Sequence, residues 1–511
     1  MSAMGAARSQ GMSVIRWGSI LVIAYFLVSA GAHVDAVRTP VHVDAARTRA
    51  HAVVQLRFFD RQGVEMSATA ARSHMSNGSA GWANDALIDP TFLYDLEPHP
   101  LYIDGTGHLA FAVLDRPVAL AINWPTTRGY SLLIVDNGGG GFTRSGVVNV
   151  TYRAAIDAKR LLDRELAARP SFLKSDEFLE SYAAAETAID TANASSVRSV
   201  RGRYGYLALD HLALANDLLL AGYGTQFAKA SPPIMPWLGV TVDTVDRYRS
   251  NLDLASGLTD PNGWVRIVMD PGTHFSAYAP AVHRAHLDGL KVLGQPIDSY
   301  YAEAFPGSNY LHRIQRAVRA LPAIDAWEVG NEVNGGWLGP AMGDRIDEAA
   351  AWLRATHPEK TVVVTLYWQI GTDEPQWSTF NWIRDELEAS TIRDTDVFLL
   401  STWVEDAPMG LAYDRILRAF HDALLGSTVG IGELGYWGPA TARAWWYGAP
   451  NDPTAGRRIV LDQLYRASLG YSWSVGGVFW WYFAEDMPAD PELADDLSAI
   501  RDDIVIEPRS A

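Results

Sequence analysis

The chain reads as an α/β protein: a (β/α)₈ barrel preceded by a small β-sandwich-like domain and a helical connecting segment. Three observations carry this reading. Beyond Ser231-Pro-Pro233, short apolar runs alternate with helical patterns eight times over a span close to the ~250 residues typical of such a barrel. Residues 51–150 instead show short strand-like runs with turn-forming residues between most of them. Residues 151–230 switch to apolar recurrence at helical spacing.

In chain order, residues 1–32 carry Arg8 and Arg16, the uncharged run 17–30 and the small residues Ser29-Ala-Gly-Ala32. Basic, apolar and small residues in that order predict a secretory signal cleaved near Ala30 or Ala32. The run is short of the ~20 apolar residues of a spanning helix, so the alternative is an uncleaved N-terminal anchor through residues 17–34. Residues 33–50 lack periodicity and read as a linker. Within 51–150 the strand candidates are 53–59, 109–114, 118–123 and 130–135, followed by the tight turn Gly138-Gly-Gly-Gly141. Such a domain binds a glycan or serves only as packing. Helical spacing at 154–166 and 206–220 marks the connecting segment. His211 within it reads as structural, because no second ligand stands at metal-binding spacing. Residues 231–504 hold the eight barrel strands, at 238–243, 264–270, 290–295, 324–332, 361–367, 397–403, 429–433 and 477–483. Helices are expected among them at 310–321, 344–355, 380–388, 413–425 and 457–469. Residues 505–511 form a tail.

Composition narrows the function. A formal charge of −17 over 511 residues argues against a nucleic-acid partner. Loss of residues 1–32 removes two arginines and no acid, taking the charge to −19. There is no cysteine, which excludes thiol catalysis and cysteine–zinc sites and leaves an exported chain to rely on its core. No cofactor or metal is called for. Once the signal is removed, no integral membrane span is expected, and the chain is placed as secreted or periplasmic.

Two glutamates carry the chemistry. Glu332 closes Ala326-Trp-Glu-Val-Gly-Asn-Glu, and Glu433 closes Val429-Gly-Ile-Gly-Glu. Each is expected just past an apolar run, on the fourth and seventh strands, where a barrel gathers its active site. Glycoside hydrolysis needs such a pair: one acid to protonate the leaving oxygen, one carboxylate to attack or stabilise the sugar carbon.

Asn331-Glu332 on the fourth strand, with a glutamate on the seventh, resembles the clan A retaining glycoside hydrolases, a superfamily of cellulases, xylanases and mannanases. The likeness spans residues 236–504. It implies Glu332 as acid/base, Glu433 as nucleophile, and Asn331 as donor to the sugar 2-hydroxyl. By the same resemblance Arg266 hydrogen-bonds and charges the nucleophile, and Trp481 floors the sugar site. Trp480 and Trp481 alternate, so only one of them faces the cleft. Trp368, Trp403 and Trp437 fall at or beyond strand ends, and sugar contact and loop packing are both open for them. The sixth strand ends Leu400-Ser-Thr-Trp-Val-Glu-Asp406 without a His/Tyr pair, and the third ends Leu293-Gly-Gln-Pro296 without a His. No family within the clan is therefore assigned.

The expectation is an exported retaining β-glycosidase acting on a polysaccharide or oligosaccharide, with endo action favoured by the aromatic-rich loops. A non-catalytic glycan-binding barrel is the alternative, although binding alone does not require two carboxylates so placed. A metal-dependent barrel hydrolase would want His clusters at strand ends, and the predicted strands have none. Glu405 is the rival carboxylate, and Glu328 alternates toward the barrel interior.

Overall fold

The computed structural model describes residues 52–75, 85–230, 234–243, 247–260, 263–339, 341–370, 374–404, 406–436, 447 and 452–504. The expected signal, linker and tail, together with Trp437 and Glu405, lie outside the described residues. From His51 onward the chain forms one compact unit.

All eight expected barrel strands are present. They are β9 (Trp237–Val242), β10 (Gly263–Val268), β11 (Lys291–Gln295), β12 (Ala326–Gly330), β13 (Thr361–Tyr367), β14 (Val397–Trp403), β15 (Thr428–Gly435) and β16 (Ser474–Trp480). Every neighbouring pair is parallel, and β16 closes back onto β9. Strand alternation sorts the side chains into two sets. On β10, Val265 and Ile267 face the surrounding helices, whereas Trp264 and Arg266 face the barrel axis. The amino end of the barrel is filled by an apolar plug of Trp237, Trp264, Leu293, Ala326, Val363, Val397, Leu399, Val475 and Phe479. Trp237 and Trp264 stack there at 4.1 Å. The plug forms the barrel floor, and polar groups occupy the next layer toward the carboxyl ends.

Among the described residues eight strands precede the barrel: β1 (Val53–Arg57), β2 (Asp85–Ile88), β3 (Asp95–Pro98), β4 (Tyr102–Ile103), β5 (Leu109–Ala112), β6 (Ala119–Thr126), β7 (Gly129–Val135) and β8 (Gly146–Asn149). They make two four-stranded sheets, ordered β4-β5-β1-β8 and β3-β2-β6-β7. The short strands β2, β3, β4 and β8 escaped the sequence reading because two to four residues show no period to follow. The second sheet is buried on both faces. Leu87, Leu120, Ile122, Leu133 and Val135 join a core with β1, β5 and the connecting helices. Ala86, Ile88, Ala119, Ala121, Leu132 and Ile134 alternate with them and join the barrel's own core. This sheet is therefore a packing layer, with no open face for a glycan.

Three helices, Val150–Ala168, Asp176–Ala194 and Arg198–Lys229, form the connecting segment. The last packs so closely on the barrel helix Pro453–Ser468 that a Cβ at Gly224 would lie 1.8 Å from the Arg466 carbonyl oxygen. Buried charges fasten the same boundary. Arg169, 3 % exposed, donates to Asp414 of the barrel at 2.6 Å and pairs with Glu165. Arg418 donates to Asp414 at 2.8 Å, and the Tyr471 hydroxyl donates to it at 2.7 Å. Elsewhere Asn381 exchanges two hydrogen bonds with the backbone of Asp95, at 3.0 and 2.9 Å.

Removing Arg169 leaves Arg418 as the remaining cation beside both Asp414 and Glu165, and losing a member of a buried ion-pair cluster costs about 3–5 kcal/mol. Arg169→Ala should lower unfolding stability by about that amount, whereas exposed Arg384→Ala should stay within about 0.5 kcal/mol. Denaturant titration of both variants checks this.

Candidate active site

Two irregularities in strand pairing place the glutamates. Across β14 and β15 the register runs Leu400 to Ile431 and then Thr402 to Leu434, two steps against three. Ile431 and Leu434 both face the outer core, so the extra residue brings Glu433 to the inside. A second shift lies between Glu328 and Gly330, which pair with the consecutive Val363 and Val364. Beyond it Glu332 takes φ +47°, a left-handed conformation uncommon for a side-chain-bearing residue and typical of strained functional positions. The two glutamates thus differ in setting. Glu332 lies two residues past β12, as expected, while Glu433 lies within β15 and not past its end.

Both carboxyls are nearly enclosed, at 6 % and 4 % exposure. Arg266 Nη1 lies 2.7 Å from Glu433 Oε1, and the Asn331 amide donates to the same oxygen at 2.9 Å. Among the described residues no cation pairs with Glu332. Its Oε1 accepts from the Ser401 hydroxyl at 2.7 Å and the Trp403 indole at 3.1 Å, and its Oε2 from the Ser299 hydroxyl at 2.8 Å. Burial is the main force raising the proton affinity of both groups. Glu433 is pushed up by burial, against the pull of Arg266 and with Glu332 adding to the rise. For Glu332 the chief neighbouring charge is Asp298. Such a pair titrates as a unit. Its negative charge is favoured on Glu433, beside the guanidinium, and its proton on Glu332.

The remaining expected residues separate. Arg266, 1 % exposed, is in the site, with burial opposing its charge and Glu328 and Glu433 holding it on. Asn331 is also in the site, but its amide donates to Glu433 and to Glu328, and its oxygen accepts from the Ser299 amide. It therefore braces the carboxylates rather than holding a hydrogen free for a sugar hydroxyl. Trp481 faces the site, its ring 5.9 Å from the Arg266 guanidinium carbon. Trp480 is its outward neighbour, fully buried and donating to Asp486 at 3.0 Å. Trp403 meets Glu332 directly and lies edge-on to Trp481 and Tyr482. Of the two readings left open for Trp368, its setting matches packing: 1 % exposed and edge-on to Phe380, it lies in the wall.

Ser299, Ser401 and Asp298 were missed. The signal was present, since the third and sixth strand ends stood out for lacking histidine, and two of these residues supply hydroxyls to Glu332 there. Asp298 follows β11, accepts from the Tyr300 amide at 2.8 Å, and is pushed up to about 7 by burial and by Glu433. Asp243, after β9, is likewise pushed up to about 7 by burial and neighbouring carboxylates. Trp337, beyond β12, packs edge-on to Tyr367 at 5.4 Å and adds a further aromatic to the mouth. Among the described residues no group of three or more His, Asp or Glu side chains is arranged to hold a metal ion.

No family model matches the chain, and no curated protein matches it. Solved structures that resemble it include a GH5_18 protein from Streptomyces cattleya in complex with GlcNAc, at 15 % identity and TM-score 0.36, covering 55 % of this chain and 84 % of that one. An endo-beta-1,4-mannanase from Thermotoga petrophila aligns at 12 % identity and TM-score 0.37, over 53 % and 77 % of the two chains. An endo-1,4-beta-mannanase from Rhizomucor miehei aligns at 11 % and 0.38, over 52 % and 94 %. Likenesses this distant leave the chemistry to be argued from the chain's own residues.

Ser401→Ala removes the shortest donor to Glu332, one that favours the ionised form. The Glu332 carboxyl should then titrate at higher pH than in the parent, as read by carbon-13 NMR of labelled glutamate, with a Glu332→Gln variant giving the assignment.

Proposed function

We propose that the chain is an exported clan A retaining glycoside hydrolase that cleaves β-glycosidic bonds of a polysaccharide or oligosaccharide. The carrying observation is the asymmetric pair: Glu433 buried against Arg266, and Glu332 held by neutral donors with no cation paired to it among the described residues. That asymmetry matches the division of labour in double displacement. Glu433 attacks the anomeric carbon from its ionised form while Glu332 gives its proton to the departing glycosidic oxygen. In the second half Glu332 takes a proton from water, and the water oxygen replaces Glu433 on the sugar carbon. Arg266 and Asn331 keep Glu433 oriented between the two steps. Trp481 offers an apolar face beside the nucleophile, and Trp403 both holds Glu332 and narrows the cleft. The half-buried aromatics Trp337, Trp403, Trp481 and Tyr482 around the mouth favour action within a chain over trimming from its end.

A panel of β-glucans, β-mannans and xylans should show release of reducing ends, with the product anomer first formed retaining the β configuration by proton NMR. Glu332→Ala should cut turnover of substrates with poor leaving groups by about 10²–10⁴-fold. Full-rate turnover by Glu433→Ala, or an inverted product, would sink the nucleophile assignment. Export predicts that the protein recovered outside the cytoplasm begins at residue 31 or 33, which intact-mass measurement reads directly.

A further inference from the structure

The mechanism above gives no part to the buried carboxylate of Glu328. Glu328, on β12, has no exposed side-chain surface, so it cannot meet a substrate. It grips Arg266 as a fork, with Nε donating to Oε2 and Nη2 donating to Oε1, both at 2.7 Å. Its Oε1 also accepts from the Thr365 hydroxyl at 2.6 Å and the Asn331 amide at 3.2 Å. A bidentate grip sets the plane of a guanidinium, because both N–H vectors are then spoken for. The third nitrogen reaches Glu433 at 2.7 Å but lacks the alignment of a hydrogen bond. Glu433 therefore receives the position that Glu328 leaves. The other group holding Glu433, Asn331, is also held by Glu328.

We propose that Glu328 is a positioning residue for the reaction: it orients Arg266 and Asn331, and through them the nucleophile Glu433, without touching the sugar. The inference rests on the reading of Glu433 as nucleophile. A glutamate that merely pairs a buried arginine needs no second link to the same nucleophile through Asn331. Here the two links converge on one oxygen, Glu433 Oε1.

The charged groups facing Glu433 are Arg266 from β10, Glu328 on β12, Glu332 beyond it and Asp298 beyond β11. Arg266 lowers its proton affinity more than Glu328 raises it. Losing the bracket and losing a like charge therefore act in opposite directions, and a positioning role requires the first to outweigh the second.

The experiment is a carbon-13 NMR titration of labelled glutamate in the full chain, with Glu433 assigned through Glu433→Gln. Glu328→Gln and Glu328→Asp should both move Glu433 ionisation to higher pH. In turnover they should lower kcat by about 100-fold, since small misplacements cost that much, while KM stays within about threefold. The acid limb of kcat/KM should move upward with the titration. A shift to lower pH in Glu328→Gln would make Glu328 only a neighbouring charge, and no shift would make it only structural; either overturns the proposal. Glu328→Asp keeps the charge while shortening the fork, so it decides the matter if Glu328→Gln does not fold. The titration needs no substrate, so a chain without glycosidase activity would fail the functional reading separately.

Discussion

The site depends on one guanidinium kept charged inside a barrel. Arg266 is 1 % exposed, and its burial is tolerable only because Glu328 and Glu433 approach it at 2.7 Å. Burying a lone cation would be prohibitive, and burying two carboxylates beside each other would neutralise one of them. Together they form a layer whose members each need the others. Asn331 and Thr365 fill remaining acceptor sites, so moving any one of these side chains strands another.

That layer needs a dry floor and a rigid wall. The apolar plug of tryptophans and aliphatic side chains below it keeps water from entering the barrel from the amino end. A lower dielectric then strengthens each charge contact above. Outside the barrel, the second sheet of the N-terminal region packs on the wall with one face, and the Arg169–Asp414 cluster fastens the connecting helices. The N-terminal half thus acts as an external brace for this part of the barrel.

At the mouth, the two catalytic candidates sit in contrasting surroundings built from neighbouring strands. Glu433 faces charge and Glu332 faces hydroxyls and an indole, so two residues of one type have different surroundings. Ser299 and Ser401 stand at the third and sixth strand ends, the same ends that carry no histidine in the sequence.

The amino-acid order by itself determined the eight-unit rhythm, the apolar faces of the strands, and the presence of Asn331, Glu332 and Glu433 near strand ends. Those features are local: periods of two and 3.6 residues, and motifs a few residues long. Tertiary structure decided the rest. Perfect alternation would carry Glu433 to the outer face with Ile431, and only the mismatched pairing of β14 and β15 brings it inward. Which tryptophans face the cleft depended equally on neighbours, with Trp481 beside Arg266 and Trp368 lost to the wall. Glu328 looked like one more interior residue of a strand. Its grip on Arg266 spans 62 positions of sequence, and no local pattern records a contact made only when the barrel closes.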